Sequence, residues 1–266
     1  DDMTLQPEPE DWFEASLSTL FLALRVNTSL TSLSLFGWVF SIGTEEHSSL
    51  SQALKVNASL TSLDLRYNDI GDEGANSLSQ ALRVNTFLTS LDLSSNSIGA
   101  KGAHFLSEAL RENASLTSLD LSFNAISNEG VNSLSQVLRV NSSLSSLGVC
   151  FNSIGAEGAN SLCLALRVNT SVTSLDLCGN PIGDEGVYFL SQALRVNASL
   201  TSLGLSYNSI GDDGANSLSE ALRVNNSLTS LDLSDNTIGD DGANSLSEAL
   251  RDRKSTRLNS SHMSES

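Results

Sequence analysis

Five carboxylates stand at matched places along the 266-residue chain. Asp64, Asp92, Asp120, Asp176 and Asp232 each lie between two leucines, 28 residues or a multiple of 28 apart. Ser34, Gly148 and Gly204 hold the same place in the remaining copies. Parallel neighbouring carboxylates about 5 Å apart repel each other, so such a stripe stays hydrated, gathers cations or meets a basic protein. Calcium needs oxygen ligands that converge on one point, and a linear stripe supplies two at most per ion, so no metal is assigned. Three places further on runs a second column: Tyr67, Ser95, Phe123, Phe151, Gly179, Tyr207 and Asp235. Tyr67, Phe123, Phe151 and Tyr207 are residues of the kind that anchor a protein partner. The competing reading is that they shield one another and fill space.

Next to the aromatic column, Asn68, Asn96, Asn124, Asn152, Asn180, Asn208 and Asn236 recur without a slip. Their amides can satisfy backbone groups where the chain turns. An unpaired buried polar group costs roughly 1–3 kcal/mol, so these asparagines are expected to be structural. Cys150 and Cys178 share a column in successive copies and are expected as free thiols, since two thiols without a nearby His fall short of a zinc set. N-x-S/T sequons at Asn27, Asn57, Asn113, Asn141, Asn169, Asn197 and Asn225 recur because the unit recurs. There is no G-x-x-x-x-G-K-[ST] phosphate loop and no G-x-S-x-G elbow. His47, His104 and His262 lie far apart in the repeat order. No catalytic set, cofactor or enzymatic activity is expected.

The elements that hold these columns follow from two periods. "TSLDL" alternates polar and apolar residues, as a short strand with one buried face does. In "DEGANSLSQALRV", Ala75, Leu78 and Leu82 fall on one face of a helix, for which Asp72 is the expected N-cap. Gly71 suits a turn and Gly74 a close approach. Neither element buries its leucines alone, so strand–helix units must stack and share an interior.

The pattern L-x-x-L-x-L-x-x-N-x-I-G-x-x-G-A-x-x-L-x-x-A-L over residues 27–251 resembles the ribonuclease-inhibitor-like leucine-rich repeats. It looks most like the repeat region of the cytoplasmic NOD-like receptors. The resemblance implies an α/β solenoid, a horseshoe arc with a parallel β-sheet on the concave face and α-helices on the convex face. Eight strands about 4.8 Å apart make a partial arc, with an inner edge of roughly 34 Å. It further implies a non-catalytic protein–protein interaction surface, cut from a larger ligand-sensing or regulatory protein. The Asp and aromatic columns would then lie on the concave face. The alternative is a GTPase-activating regulator resembling the Ran GTPase activators, with Arg66 as a charge-stabilising finger.

Residues 57–251 hold seven 28-residue units, and 27–56 form an irregular first repeat with a hydrophobic insertion around Trp38. Residues 11–26 read as a partial repeat or cap helix, with Leu20, Ala23 and Leu24 in the inward places. The acidic, Pro-containing stretch 1–10 is expected to be disordered. Periodicity stops after Arg251, and 252–266 resembles a translated sequencing adapter, so a non-native tail and a chain that is a fragment are expected. The formal charge of −17 argues against nucleic acid and anionic membrane and suits a basic protein partner. Three cysteines are too few for a disulfide framework and favour a reducing compartment. A cytoplasmic monomer is the expectation.

Overall fold

The computed structural model describes residues 2–4, 13–37 and 44–263. Among them, nine three-residue strands form one parallel sheet in chain order. They are β1 Asp2–Thr4, β2 Ser32–Ser34, β3 Ser62–Asp64, β4 Ser90–Asp92, β5 Ser118–Asp120, β6 Ser146–Gly148, β7 Ser174–Asp176, β8 Ser202–Gly204 and β9 Ser230–Asp232. The helices are α1 Phe13–Leu24, α2 Thr44–Val56, α3 Gly71–Leu82, α4 Ala100–Glu112, α5 Ser127–Leu138, α6 Ala156–Leu166, α7 Gly183–Leu194, α8 Asp212–Val224 and α9 Asp240–Met263. Strands pair in register, Leu63 with Leu91 and Asp64 with Asp92. Each helix packs on the next. Strands sit about 4.8 Å apart and packed helices about 8–10 Å. The stack therefore bends with its sheet inside, which makes the sheet face concave.

The interior is a single cluster running from Leu17 to Ala249. Within the interior repeats the three strand-side apolar residues and the helix leucines close over one another, as Leu60, Leu63, Leu65, Leu78 and Leu82 do. Each fully buried leucine contributes about 1.5–3 kcal/mol, which the small units gain only by stacking. Gly71 turns the chain at φ +58°. Gly74 lets α3 approach α2, because a Cβ there would lie 2.5 Å from Ile70 Cγ2 and 2.8 Å from the His47 ring. His47 is buried, and burial holds its imidazole below the ordinary value against the charges of Glu46 and Asp69.

Several expectations are corrected by the structure. Asp72 does not cap its own helix: α3 has Ile70 at its N-cap and no side-chain cap bond. Its Oδ1 instead accepts the backbone N–H groups of Gly99 and Gly102, each at 2.8 Å, and so caps α4 of the following repeat. Asn128 does the same for α6, Asp184 for α8 and Asp212 for α9. From α3 onwards the helices not capped in this way, α3, α5 and α7, start from Gly71, Ser127 and Gly183 at φ 58–62°. Those three residues donate their N–H to the next repeat's ladder carbonyls, as Gly71 does to Asn96. Helix starts thus alternate along the array up to α8, a period of two repeats.

Part of the stretch expected to be disordered, Asp2–Thr4, is a strand paired with β2, whose edge groups it satisfies. In α1 the buried face is Leu17, Phe21 and Leu24, while Ala23 is exposed and Leu20 only partly buried. Among the described residues α1 has a helix neighbour on one side only, α2, and its contact face is rotated from the interior pattern. The backbone of α9 continues helically from the last repeat through residues 252–263. The insertion at Trp38 lies outside the described residues.

Candidate functional site on the concave face

Each strand from β2 to β8 presents its outward Asp, Gly or Ser to the concave side while its central leucine is buried. The aspartates are not an unbroken row of like charges. Arg66 grips Asp64 with Nε to Oδ1 at 2.9 Å and Nη2 to Oδ2 at 2.8 Å, and its Nε reaches Asp92 Oδ2 at 3.4 Å. Burial pushes the Asp64 carboxyl up, but hydrogen bonds from Arg66 and Ser34 outweigh it and hold the group below the ordinary value. Asp92 is raised, chiefly by burial and further by Asp120, against the hydrogen bonds from Ser94. The Arg66 Cζ also lies 5.2 Å from the Phe36 ring centre, and Phe36 meets Tyr67 edge-on at 5.3 Å. The guanidinium named as a GTPase finger is thus held between two carboxylates.

Beyond Asp92 the pattern opens. Asp120 leans over Gly148, where a Cβ would meet its Oδ1 at 2.8 Å, and Asp176 leans in the same way over Gly204. The two glycines give these carboxylates room. Phe123 and Phe151 stack with ring centres 4.5 Å apart and planes 13° apart. A Cβ at Gly179 would collide with the Phe151 ring. Beside the pair is an open groove of ≈ 600 Å³, lined by Asp120, Asp176, Asp232, Cys150, Cys178 and a row of serines. Cys150 is buried, and burial first, then its bond to Asp176, raises its thiol well above the ordinary value. Such a thiol is a poor nucleophile. Asp232, close to solvent, is held below the ordinary value by hydrogen bonds from Ser234.

The structure therefore brings Phe123, Phe151, Asp120, Asp176 and Asp232 together around one groove. Asp64, Asp92 and Tyr67 form a separate cluster about Arg66, and Tyr207 is engaged with Asp235, which raises its hydroxyl pKa. Phe36 and the serines of the groove were not singled out in the sequence. Phe36 holds the place of Arg66 and Ser94 in the next two repeats, one before the aromatic column.

The four aromatics have left-handed backbone, with φ of 59° at Tyr67, 56° at Phe123, 51° at Phe151 and 53° at Tyr207. Bulky residues are rare there, at a cost of order 1–3 kcal/mol each. Ser95, Gly179 and Asp235 serve the same turn, so the fold does not demand aromatics. All four are 41–56% exposed.

Two asparagine ladders hold this face. Asn96 Oδ1 accepts the N–H of Asn68 and Ile70, while its Nδ2 donates to the carbonyls of Leu65 and Ser94. The second ladder was read in the sequence only as sequons. Asn113 is buried, donates Nδ2 to Leu82 and Asn85 carbonyls and accepts from Ser115 and Leu116 N–H. Asn57, Asn141, Asn169, Asn197 and Asn225 are buried in the same way, so none offers an amide to a sugar in the folded chain. Its strict 28-residue recurrence was the available clue.

A family profile described as Leucine Rich repeat matches residues 56–79, 84–107, 112–135, 168–191, 196–219 and 224–247. Among curated proteins no relative matches the sequence. Solved structures similar to the chain include the C-terminal domain of tropomodulin from Caenorhabditis elegans, at 18% identity and TM-score 0.45, covering 71% of this chain and 98% of that one. An internalin from Listeria monocytogenes is similar at 21% identity and TM-score 0.46, covering 85% of this chain and 67% of that one. A TLR13–ssRNA13 complex is similar at 20% identity and TM-score 0.49, covering 90% of this chain and 33% of that one. Among the described residues no helix is long and apolar enough to cross a membrane, and no group of three His, Cys, Asp or Glu could hold a metal ion.

Proposed function

The chain belongs to the leucine-rich repeat family, and from that premise we propose that it is a non-catalytic protein-binding solenoid whose concave groove receives a basic partner. The observation that carries this reading is the Phe123–Phe151 stack, exposed and held in a costly backbone conformation beside three carboxylates. Aromatic anchors supply binding area at low entropic cost. Asp120, Asp176 and Asp232, without the Arg66 clamp that occupies Asp64 and Asp92, are available to guanidinium or ammonium groups. The L-x-x-L-x-L-x-x-N-x-I-G-x-x-G pattern at its 28-residue period supports the reading of a regulatory segment of ribonuclease-inhibitor-like class and NOD-like receptor type. Three free thiols suit a cytoplasmic setting.

The test is fluorescence anisotropy with a labelled peptide of repeating Arg-Arg-Trp. Asp120→Asn combined with Asp176→Asn is expected to weaken binding about tenfold, the loss of roughly 1.4 kcal/mol. Phe123→Ala with Phe151→Ala weakens it further and lowers the benefit of Trp over Ser in the peptide. Equal affinity for wild type and both variants refutes the assignment.

A further inference from the structure

The helix C-terminal rim carries a charge that the net value of −17 conceals. One Lys or Arg stands at or just after the end of each repeat's helix from Arg25 to Arg223, where a cation complements the helix dipole. A valine follows in most repeats and is left exposed, Val140 at 62% and Val168 at 56%. Recurrence of the unit accounts for the column but not for its middle. In later repeats each arginine meets a carboxylate 25 residues on: Arg195 lies 3.5 Å from Glu220, and Arg223 3.7 Å from Glu248. At the matching place after Arg139 stands Leu164, half exposed at 51%, and after Arg167 stands Gln192. Among the described residues no ion pair engages Arg139 or Arg167. An open recess of ≈ 500 Å³ lies here, lined by Arg111, Gln136, Arg139, Val140 and Val168.

We propose that this rim patch docks an acidic peptide segment that carries apolar side chains, independently of the concave groove. The two free guanidinium groups bind carboxylates in fork geometry, Val140 and Val168 supply the apolar floor of the recess, and Leu164 stands 25 residues after Arg139, as Glu220 does after Arg195. The carboxylates nearest this rim, Glu108 and Glu112, are paired with Arg111 and Arg83, and the acidic first turns of α5 and α6, with Glu129 and Glu157, lie roughly 15 Å away along each helix. That exceeds the Debye length of about 8 Å at physiological salt, so the overall negative charge does not cancel the local attraction. A membrane surface, by contrast, spans the whole molecule and meets its net charge.

Fluorescence anisotropy with a labelled peptide of repeating Glu-Glu-Leu tests the site. Binding is expected, weakening steeply as salt rises, and about tenfold weaker for a Glu-Glu-Ser peptide. Leu164→Glu restores the carboxylate found in the later repeats, folds as they do, and is expected to lower affinity at least tenfold. Arg139→Glu with Arg167→Glu abolishes binding, whereas Phe123→Ala with Phe151→Ala leaves it unchanged and so separates this site from the groove. The proposal is overturned by absent peptide binding, or by full affinity in Leu164→Glu with circular dichroism unchanged. Binding only to phosphatidylserine-containing vesicles also overturns it, as does self-association lost in Arg139→Glu without peptide binding.

Discussion

At the scale of single residues, the ladder asparagines are distinguished by what each amide oxygen receives. Asn96 Oδ1 accepts two backbone N–H groups. Asn208 Oδ1 is buried and has no donor among the described residues. Pro181 precedes Ile182, whose N–H turns to the Asn180 carbonyl instead, at 2.9 Å. Replacing Asn96 by Leu strands donors and acceptors together, at an expected cost of about 3 kcal/mol or more, while Asn208→Leu costs roughly 1 kcal/mol less. Urea denaturation of the two variants measures the difference directly. An equal loss in both shows that the oxygen's contacts contribute nothing and the amide nitrogen everything. The same chemistry accounts for the residues flanking the ladder. The turn requires left-handed backbone, which glycine or aspartate supplies more cheaply, as Gly179 and Asp235 do, so aromatic side chains there are retained against the local preference.

At the scale of elements, the helix starts show that a repeat is not the unit of capping. Asp72 Oδ1 serves Gly99 and Gly102 of the next coil, so Asp72→Ala removes an N-cap from α4 and leaves α3 untouched. The expected cost is about 1–2 kcal/mol. Hydrogen–deuterium exchange should show it as faster exchange of Gly102 and its neighbours at the start of α4, with α3 unchanged. Faster exchange at the start of α3 instead restores the assignment made from sequence adjacency. That assignment failed for a physical reason. The matching places read Asp72, Ala100, Asn128, Ala156, Asp184 and Asp212, and stacking sets each capping side chain beside the helix start of the following unit, not beside the helix that it precedes in the chain. Strand and helix existence, the buried leucines and both columns on the sheet were legible, because alternation and helical spacing are local. Partners across coils were not. The Asp72 cap spans 27 and 30 residues, and Gly148 and Gly204 read as gaps in the Asp stripe although they make room for Asp120 and Asp176. The grouping of Phe123 and Phe151 with Asp176 and Asp232, apart from Tyr67, likewise depends on Arg66 closing one end of the face.

At the scale of the whole molecule, among the described residues, each helix meets no helix but the ones before and after it, and each strand no strand but its neighbours. Stability is then a sum of repeat terms and nearest-neighbour interfaces. The last repeat has a neighbour on one side, and its Leu231 and Leu233 are only partly buried where their interior equivalents are closed off. A cavity placed in the middle should therefore divide the array instead of lowering its stability uniformly. Leu147 in β6 is buried at 1% exposure, and Leu147→Ala is expected to cost about 2–5 kcal/mol. That loss falls on one repeat and the two interfaces it makes. Amide protection is expected to drop across β5 to α7 and to hold in β3–α4, and the single urea transition should broaden or split in two. The region around β9 exchanges fastest in both proteins. A uniform fall in protection from α1 to α8 would show that the leucines form one all-or-none core, and coupling between the concave groove and the distant repeats would follow. Local loss confines the groove's rigidity to the coils that build it. A partner bound at Phe123 and Phe151 then stabilises β5–β8 chiefly, and a ligand at the Arg139 rim stabilises the same coils from their other edge.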